Sequence, residues 1–155
     1  MRLTLILLLF MVSLGAQAVE APDDVDGAMT VNVFQAKRLH ELGAVFIDVR
    51  ADREWLWGHV EGAVHFDLAS DFVSLAGPEW PRELPLVIYC DSEICPRSAE
   101  AARMAVAWGY QRVFYFRAGY FAWQLLDFPQ GKGSAGEMLA FNPGAPAAAA
   151  GGARD

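Results

Sequence analysis

The first regularity in the sequence is an alternation of short apolar runs with segments of helical periodicity. Four runs have the length and composition of buried strands: 44–48, 63–66, 86–89 and 113–116. Segments with a helical pattern lie between and around them: 31–43, 53–57, 68–75, 99–108 and 120–126. Short runs without a polar side are typical of parallel strands that are covered on both faces. The alternation therefore predicts an α/β fold of three layers, in which helices cover both faces of a mainly parallel sheet.

The first eighteen residues have the pattern of a signal peptide. Arg2 gives the chain a basic start, an apolar run extends from Leu3 to Leu14, and A-Q-A at 16–18 has the small residues of a cleavage site. The apolar run is shorter than the ~20 residues that a membrane-spanning helix needs. We therefore expect residues 1–18 to be removed on export into a bacterial periplasm, with no membrane attachment afterwards.

Composition predicts the remaining boundaries. The chain has 155 residues, of which 54% are hydrophobic, and this is enough for one domain with a core of its own. Residues 19–28 are rich in Asp, Pro and Ala and predict a disordered lead. Residues 131–155, rich in Gly, Ala and Pro, predict an unfolded low-complexity tail. One folded domain is thus expected over residues 29–130.

The charge of the chain limits its partners. The formal net charge is −7, which repels the phosphates of nucleic acids and of anionic lipids. We therefore expect no nucleic-acid partner. Export also places Cys90 and Cys95 where disulfides persist, so the two cysteines have to be considered both as a bridge and as reactive groups.

Cys90 directly follows the apolar run 86–89 and precedes a loop and a helix. Ser98 is expected to cap this helix before Ala99, and Arg97 adds positive charge near its start. Backbone N–H groups and the helix dipole converge at such a position and lower the pKa of a thiol. Cys90 is therefore a candidate nucleophile that carries a covalent intermediate. The alternative is a buried cysteine that only packs in the core.

Several sequence blocks resemble, in the same order, the motifs of the rhodanese family of sulfurtransferase domains. Residues 45–63 contain V-F-I-D-V-R, then E, then G-H-V-E-G-A, and resemble the first rhodanese motif. The run L-V-I-Y-C at 86–90 resembles the strand that carries the family's cysteine, and residues 109–123 are similar to its closing segment. The resemblance covers about residues 29–127 and implies the rhodanese-like fold.

The resemblance also implies a chemistry for Cys90. Such a thiol takes sulfane sulfur from a donor, holds it as a persulfide and passes it to a nucleophile, with no cofactor. The partner would be a small sulfur donor or a protein thiol or persulfide. Backbone N–H groups of the loop would stabilise the terminal sulfur anion, as in an oxyanion hole. The implied substrate-binding residues are Asp91, Ser92, Glu93, Ile94, Pro96, Arg97 and Ser98.

Four further residues match the first motif, and we assign them a structural role near the site: Asp48, Arg50, Glu54 and His59. Polar residues at strand ends commonly satisfy local backbone groups. These four are therefore expected to hold a turn beside the cysteine loop.

The chain departs from the family pattern in three places. The usual sulfurtransferase loop contains a Gly and has its Arg five residues after the cysteine, whereas here Arg97 stands seven residues after Cys90 and the loop has no Gly. Cys95 occupies the fifth position, as in some exported rhodanese-like proteins. Ala118 stands where the closing segment usually has its first Gly.

Three roles are open to Cys95. It can be the resolving thiol of a redox-coupled pair with Cys90, because the residues between them allow a bond if the loop curls. It can form a permanent disulfide, which would silence the site and close only a small loop. A metal site would need further ligands, and only His40, His59 and His65 are available, without metal-like spacing. We favour the redox pair and expect no metal.

Asp91 and Glu93 place two carboxylates close to Cys90 in the sequence. Their charge raises the pKa of the thiol and repels anionic donors such as thiosulfate. The effect is weaker if both side chains point to water, where salt screens charges over ~8 Å. We expect thiosulfate to be a poor donor.

The favoured function is that of an exported rhodanese-like sulfurtransferase that carries sulfur on Cys90, coupled to thiol/disulfide exchange with Cys95. The first alternative is a non-catalytic rhodanese-like domain that binds a partner or senses redox state, because a fold does not determine a function. A phosphatase-type variant is less favoured. Phosphate sites prefer N–H groups and arginines over carboxylates such as those of Asp91 and Glu93.

Overall fold

The computed structural model describes residues 20–133. Its strands are β1 (Met29–Thr30), β2 (Val45–Asp48), β3 (His59–Val60), β4 (Val64–His65), β5 (Pro85–Tyr89), β6 (Arg112–Phe116) and β7 (Gln130–Gly131). Five of them form one sheet in the order β1-β6-β5-β2-β4, in which every neighbouring pair is parallel. β3 and β7 form a separate antiparallel pair.

The helices cover both faces of the large sheet. They are α1 (Val33–Glu41), α2 (Asp52–Trp57), α3 (Arg97–Ala107) and α4 (Gly119–Leu125), with a 3-10 helix at Phe72–Ala76. Buried residues of α1 and α4 pack on one face of the sheet, and those of α3 and the 3-10 helix pack on the other. The predicted three-layer α/β fold with a mainly parallel sheet is therefore confirmed.

The central strand β5 brings the cysteine to a defined side of the sheet. Leu86 and Ile88 belong to the core beneath α3, while Val87 and Tyr89 belong to the core beneath α1 and α4. All four are 0% exposed, and burying an apolar side chain of this size stabilises the fold by about 1.5–3 kcal/mol. Because side chains alternate along a strand, Cys90 lies on the α3 side.

Local capping determines where α1 begins. The side chain of Asn32 accepts hydrogen bonds from the backbone N–H groups of Phe34 and Gln35, at 3.0 and 2.9 Å. The Gln35 side chain in turn accepts from the N–H of Asn32 at 2.9 Å. This reciprocal pair satisfies donors that the first turn of a helix leaves unpaired. The segment 31–43 is thus helical only from Val33 to Glu41.

The prediction that Ser98 caps the helix after the cysteine loop is wrong. α3 begins at Arg97, Pro96 occupies the N-cap position, and Ser98 lies buried in the first turn. Proline is well suited to the start of a helix, because its fixed φ is close to the helical value and its missing N–H would have no partner there. The loop is therefore shorter than the sequence pattern indicated.

The prediction of a disordered lead over residues 19–28 is also wrong for residues 20–28, which lie against the domain. Ala21 and Val25 are buried, although the segment has no periodicity. The Tyr115 hydroxyl donates to the backbone oxygen of Pro22 at 3.0 Å, and Arg117 donates to the same oxygen at 3.2 Å. Two buried apolar side chains and these hydrogen bonds hold against the domain a segment that composition alone suggests is disordered.

Three other boundaries concern the ends of the chain. The predicted signal peptide, residues 1–18, lies outside the described residues, and so does the predicted tail from residue 134 onward. The tail was expected to begin at 131, but Gly131 pairs with His59 in the small antiparallel sheet. Within residues 20–133 no helix is both long and apolar enough to span a membrane.

Candidate functional site at the cysteine loop

Cys90 lies at the carboxyl end of β5, where parallel α/β sheets commonly bind ligands. The residue is 1% exposed. Its backbone oxygen accepts a hydrogen bond from the N–H of Tyr120 at 2.9 Å, and the oxygen of Asp91 accepts one from Phe121 at 2.9 Å. The start of α4 therefore holds the beginning of the cysteine loop.

Gly119 makes this close approach of α4 and the loop possible. Its φ is +64°, and a Cβ atom there would lie 2.5 Å from the Cys90 oxygen and 2.7 Å from the Asp91 oxygen. Any other residue would strain the turn and push the loop away. Ala118, by contrast, has φ −66°, which an alanine adopts without strain, so the departure from the family's glycine is harmless.

Cys90 and Cys95 form a disulfide in the structure, with their Cα atoms 6.2 Å apart. The loop curls through a hydrogen bond of 3.0 Å from the N–H of Cys95 to the oxygen of Ser92. The structure thus holds the oxidised form of the pair. Both the redox-coupled pair and the permanent bridge contain this bond, and in either case Cys90 has to be reduced before it can act as a nucleophile.

Arg97 contacts the sulfur of Cys95 and two carboxylates. Its Nε lies 3.4 Å from Cys95 Sγ, and its terminal nitrogen donates to Glu54 Oε2 at 3.0 Å. The same nitrogen lies 3.6 Å from Asp91 Oδ2. The positive charge expected near the helix start is present, but it lies at the second cysteine and is largely balanced by carboxylates.

Asp48 and Arg50 form a buried ion pair behind the loop. Arg50 donates to both carboxylate oxygens of Asp48, with a shortest distance of 2.7 Å, and to the backbone oxygen of Gly58 at 2.7 Å. It also reaches Asp91 at 3.3 Å. Burial opposes the charge of Arg50, but the hydrogen bond and the charge of Asp48 outweigh it and raise the pKa of the guanidinium. Arg50 therefore stays charged and ties β2 to the loop.

Glu54 and Asp91 both lie near Arg97, but their pKa values are shifted in opposite directions. Burial favours the neutral form of Glu54, yet hydrogen bonds from the N–H of Ala51 and from Arg97 outweigh it and lower its pKa. Burial and the negative charge of Glu54 raise the pKa of Asp91 despite the nearby Arg50. Burial and Glu54 thus favour the protonated form of Asp91, whereas the hydrogen bonds that Glu54 accepts favour its charged form.

His59 packs between α2, β3 and β7. Its ring stacks on Trp55 with the ring centroids 3.3 Å apart, and its Nδ1 lies 3.1 Å from the backbone oxygen of Trp55. Gly131 packs against the other end of the ring. The structure thus brings Asp48, Arg50 and Glu54 of the predicted set together beside the loop, and it places His59 in the contact between α2, β3 and β7.

Of the remaining loop residues, Glu93 contacts Ala21 and Arg117, and Ile94 is exposed. The backbone oxygen of Glu93 accepts from the N–H of Ala21 at 2.7 Å, and the Glu93 carboxylate lies 3.6 Å from Arg117. Ile94 is 70% exposed. In the oxidised form, therefore, at least two of the loop's carbonyl groups, those of Ser92 and Glu93, are taken up by hydrogen bonds.

Sequence reasoning missed Arg117 and the segment it binds. Arg117 donates to the backbone oxygens of Ala21 and Pro22 and to the Glu20 carboxylate, the last at 2.7 Å. It also lies 3.3 Å from Asp23. A usable signal existed, because Arg117 directly follows β6 and the carboxyl ends of neighbouring parallel strands meet at one edge of the sheet.

The fold and the site together define an α/β domain with a cysteine at the carboxyl edge of its central parallel strand. A rhodanese-like domain model matches residues 34–126, and the chain belongs to the rhodanese-like domain family. Its distant relatives include sulfurtransferases, so the family resemblance noted in the sequence is confirmed at this level.

Two curated relatives and one solved structure show how similar this chain is to known proteins of the family. The thiosulfate sulfurtransferase GlpE of Pseudomonas fluorescens is 32% identical over 92 residues, covering 58% of this chain and 79% of the relative. Thiosulfate sulfurtransferase 18 of Arabidopsis thaliana is 27% identical over 126 residues, covering 74% and 91%. The rhodanese-like domain of the Anabaena Alr3790 protein superposes with a TM-score of 0.59 at 19% identity, covering 81% of this chain and 87% of that one.

Proposed function

We propose that the protein is an exported sulfurtransferase that carries sulfane sulfur as a persulfide on Cys90, and that Cys95 couples this transfer to thiol/disulfide exchange. The observation that carries the proposal is the place of Cys90 at the end of β5, within bonding distance of a second cysteine on the same loop. The family relationship to thiosulfate sulfurtransferases supports the same chemistry.

Sulfur transfer begins from the reduced pair. The Cys90 thiolate attacks the sulfane sulfur of a donor, a new S–S bond forms on Cys90, and the rest of the donor leaves with the electron pair as a thiolate or as sulfite. An acceptor thiolate then attacks the outer sulfur and releases the Cys90 thiolate. Both steps are displacements at sulfur, which depend on the thiolate form of the attacking group.

Cys95 gives the persulfide a second fate. Its thiolate attacks Cys90 Sγ, the Cys90–Cys95 disulfide forms, and the outer sulfur leaves as hydrosulfide. In this step the two thiols are oxidised and the sulfane sulfur is reduced by two electrons. The product is the bonded pair that the structure contains, so each such turnover requires an external thiol to restore the reduced form.

Export supports the coupling of the two chemistries. A signal peptide over residues 1–18 would deliver the protein to the periplasm, where disulfides persist. N-terminal sequencing of the protein recovered from the bacterial envelope tests this part. A soluble chain that begins at Val19 is expected, and intact residues 1–18 in the membrane fraction would contradict it.

The reduced protein should be exposed separately to glutathione persulfide and to thiosulfate and then analysed by peptide mass spectrometry. One added sulfur atom is expected on Cys90 in Cys95→Ser and, for a shorter time, in the parent protein, and none is expected in Cys90→Ser. Glutathione persulfide should load faster than thiosulfate, because Asp91 and Glu93 repel the dianion. Added sulfur on Cys95 of the Cys90→Ser variant would overturn the assignment of the carrier.

The phosphatase-type alternative has less support. A phosphate site needs an arginine directed at the anion, whereas Arg97 is bound to Glu54 and lies 3.6 Å from Asp91.

A non-catalytic sensor would use the same disulfide without sulfur transfer. The loading experiment separates a sensor from a sulfurtransferase, because a sensor forms and opens the disulfide but acquires no sulfur from either donor.

A further inference from the structure

The two cysteines of the disulfide differ in exposure and in the charges around them. Both cysteines belong to the core beneath α3, but Cys90 is 1% exposed whereas Cys95 is 9% exposed. Arg97 Nε lies 3.4 Å from the sulfur of Cys95. The more accessible end of the disulfide is therefore also the end that carries the cation.

From this asymmetry we propose that an external thiol reduces the disulfide by attacking Cys95, and that Arg97, positioned by Glu54, promotes the exchange. The inference rests on the part of the proposed function in which thiols open the disulfide, and it does not require sulfur transfer. The co-substrate is a thiol, either a small molecule or a protein cysteine, whose thiolate reaches the exposed side of the loop.

The first step is a displacement at Cys95 Sγ. The external thiolate forms a bond to this sulfur, the bond between the two cysteine sulfurs breaks, and Cys90 leaves with the electron pair as a thiolate that takes a proton from water. A second thiolate then attacks the external sulfur of the mixed disulfide. This releases Cys95 as a thiolate and yields the external thiol as its own disulfide, so that two electrons enter the cysteine pair.

In the first step, accessibility favours attack at Cys95, whereas the stability of the leaving group favours attack at Cys90. Attack at Cys90 would release Cys95 beside Arg97, which is the better-stabilised leaving group. That attack, however, requires a thiolate to approach a residue that is 1% exposed, whereas Cys95 is 9% exposed. Access decides, because a sulfur that the thiolate cannot reach does not react. Attack therefore occurs at Cys95.

Arg97 acts in the second step, in which Cys95 is the leaving group. A guanidinium at 3.4 Å stabilises the departing Cys95 thiolate, and a better-stabilised thiolate leaves faster. Glu54 accepts from the Arg97 terminal nitrogen at 3.0 and 3.4 Å. It holds the guanidinium at the sulfur and is therefore a positioning residue.

Other charges near Cys95 oppose Arg97 or face elsewhere. A carboxylate oxygen of Asp91 lies within 4.8 Å of both cysteine sulfurs, and its charge destabilises a thiolate on either. Arg50 partly balances this charge at 3.3 Å from Asp91. Glu93 is directed to Arg117, 3.6 Å away. Asp91→Asn should therefore accelerate the exchange, whereas Arg97→Gln should slow it.

The site of attack can be read from the mixed disulfide. The oxidised protein is mixed with reduced glutathione, quenched with acid within milliseconds to seconds, alkylated and mapped by peptide mass spectrometry. Glutathione on Cys95 together with a reduced Cys90 is expected at the earliest times. Glutathione found first on Cys90 would overturn the inference.

Single-cysteine variants provide a second measurement without rearrangement between the two sulfurs. In Cys90→Ser, the remaining Cys95 should react with oxidised glutathione at least about tenfold faster than the remaining Cys90 does in Cys95→Ser, because Cys95 is the more accessible of the two and lies beside a cation. Equal rates, or a faster Cys90, would contradict the proposal.

The role of Arg97 is tested in the Cys90→Ser background. Arg97→Gln should slow alkylation of Cys95 at neutral pH by about three- to tenfold and move the pH midpoint of the reaction upward, since it removes the cation that stabilises the thiolate. Arg97→Lys should recover part of the rate. Glu54→Gln should give a smaller shift in the same direction. An unchanged pH midpoint in Arg97→Gln would remove Arg97 from the mechanism.

Matched controls lie on the surface of α3. Arg103→Gln and Glu100→Gln make the same changes of charge at exposed positions of this helix and should leave the rate unchanged. Failure of the proposed sulfur transfer is recognised separately, because it would abolish sulfur loading from persulfide donors without changing where glutathione attacks.

Discussion

Two groups of contacts hold the cysteine loop from opposite sides, and they differ in burial. The inner network consists of Asp48, Arg50, Glu54, Asp91 and Arg97, and it is built mainly of ion pairs, of which Asp48–Arg50 is fully buried. The outer strap consists of residues 20–25 together with Arg117, and it is built largely of hydrogen bonds to backbone oxygens near the surface.

The two sides also differ in their position relative to the part of the chain that matches the rhodanese-like model. The inner network lies within residues 34–126, the range that matches the rhodanese-like model, whereas residues 20–25 of the strap lie outside it. A buried ion pair is costly to break, while exposed pairs contribute little. The inner side is therefore expected to support the fold, and the outer side to adjust the motion of the loop.

The strongest test of this contrast removes one cation from each side. Arg50→Ala leaves the Asp48 carboxylate buried without its partner and should lower the free energy of unfolding by about 3–5 kcal/mol. Arg117→Ala removes a cation whose carboxylate partners are largely exposed and should cost no more than about 1 kcal/mol. Urea denaturation followed by tryptophan fluorescence measures both. Similar losses would show that the two sides are energetically alike.

The second test concerns the Cys90–Cys95 disulfide in the loop that both groups of contacts hold. In Cys95→Ser the persulfide on Cys90 loses its intramolecular attacker, so its lifetime should increase by at least about tenfold. The measurement is the decay of the persulfide adduct by mass spectrometry after excess donor is removed. Ser92→Ala is a suitable control, because its backbone hydrogen bond to Cys95 is unaffected by the change. An unchanged lifetime would make Cys95 a packing residue and a single-cysteine carrier the simpler account.

A smaller effect is expected when the strap alone is detached. Ala21 is buried, so Ala21→Asp should expel the segment and break its hydrogen bond to Glu93. Reduction of the disulfide by glutathione should become about two- to fivefold faster, while global stability falls by only about 1–2 kcal/mol, because the opening is local. The exposed Asp26→Ala serves as control. A slower reduction would show that the strap promotes exchange instead of restraining it.

The smallest effect is the pH dependence of stability that Asp91 introduces. Its pKa is raised by burial and by Glu54, so between its unfolded and folded pKa values the native state binds more protons than the unfolded state. This contribution makes stability fall as pH rises through that window. Asp91→Asn should remove that part of the decline.

Glu54, with a lowered pKa, contributes in the opposite sense, and Glu54→Gln should remove stability that is present above its unfolded pKa. Urea midpoints between pH 3 and 7 measure both, on the range where unperturbed carboxyl groups titrate.

The parts of the molecule that depend on local pattern were predictable from the sequence. The apolar run before Cys90 indicated a buried strand, and the glycine at 119 is the residue type that a turn with a positive φ requires. Both signals lie within a few residues of the feature they predict. The order of strands and helices likewise indicated the layers of the fold.

The parts that depend on distant contacts were not predictable. The partner of Arg97 is Glu54, which is 43 residues away in the sequence, and no periodicity connects them. The order of residues 20–28 depends on Tyr115 and Arg117, more than ninety residues later. Ser98 has the chemistry of a capping residue, and only the position of Pro96 shows that the helix begins before it.

The hydrogen bond between Ala21 and Glu93 has a practical consequence for handling the protein. A purification tag joined directly ahead of Glu20 would begin next to the cysteine loop and would compete with thiols for the same surface. Rates measured on amino-terminally tagged material would therefore reflect the tag as well as the cysteines. A tag placed after residue 155 avoids the segment that contacts the loop.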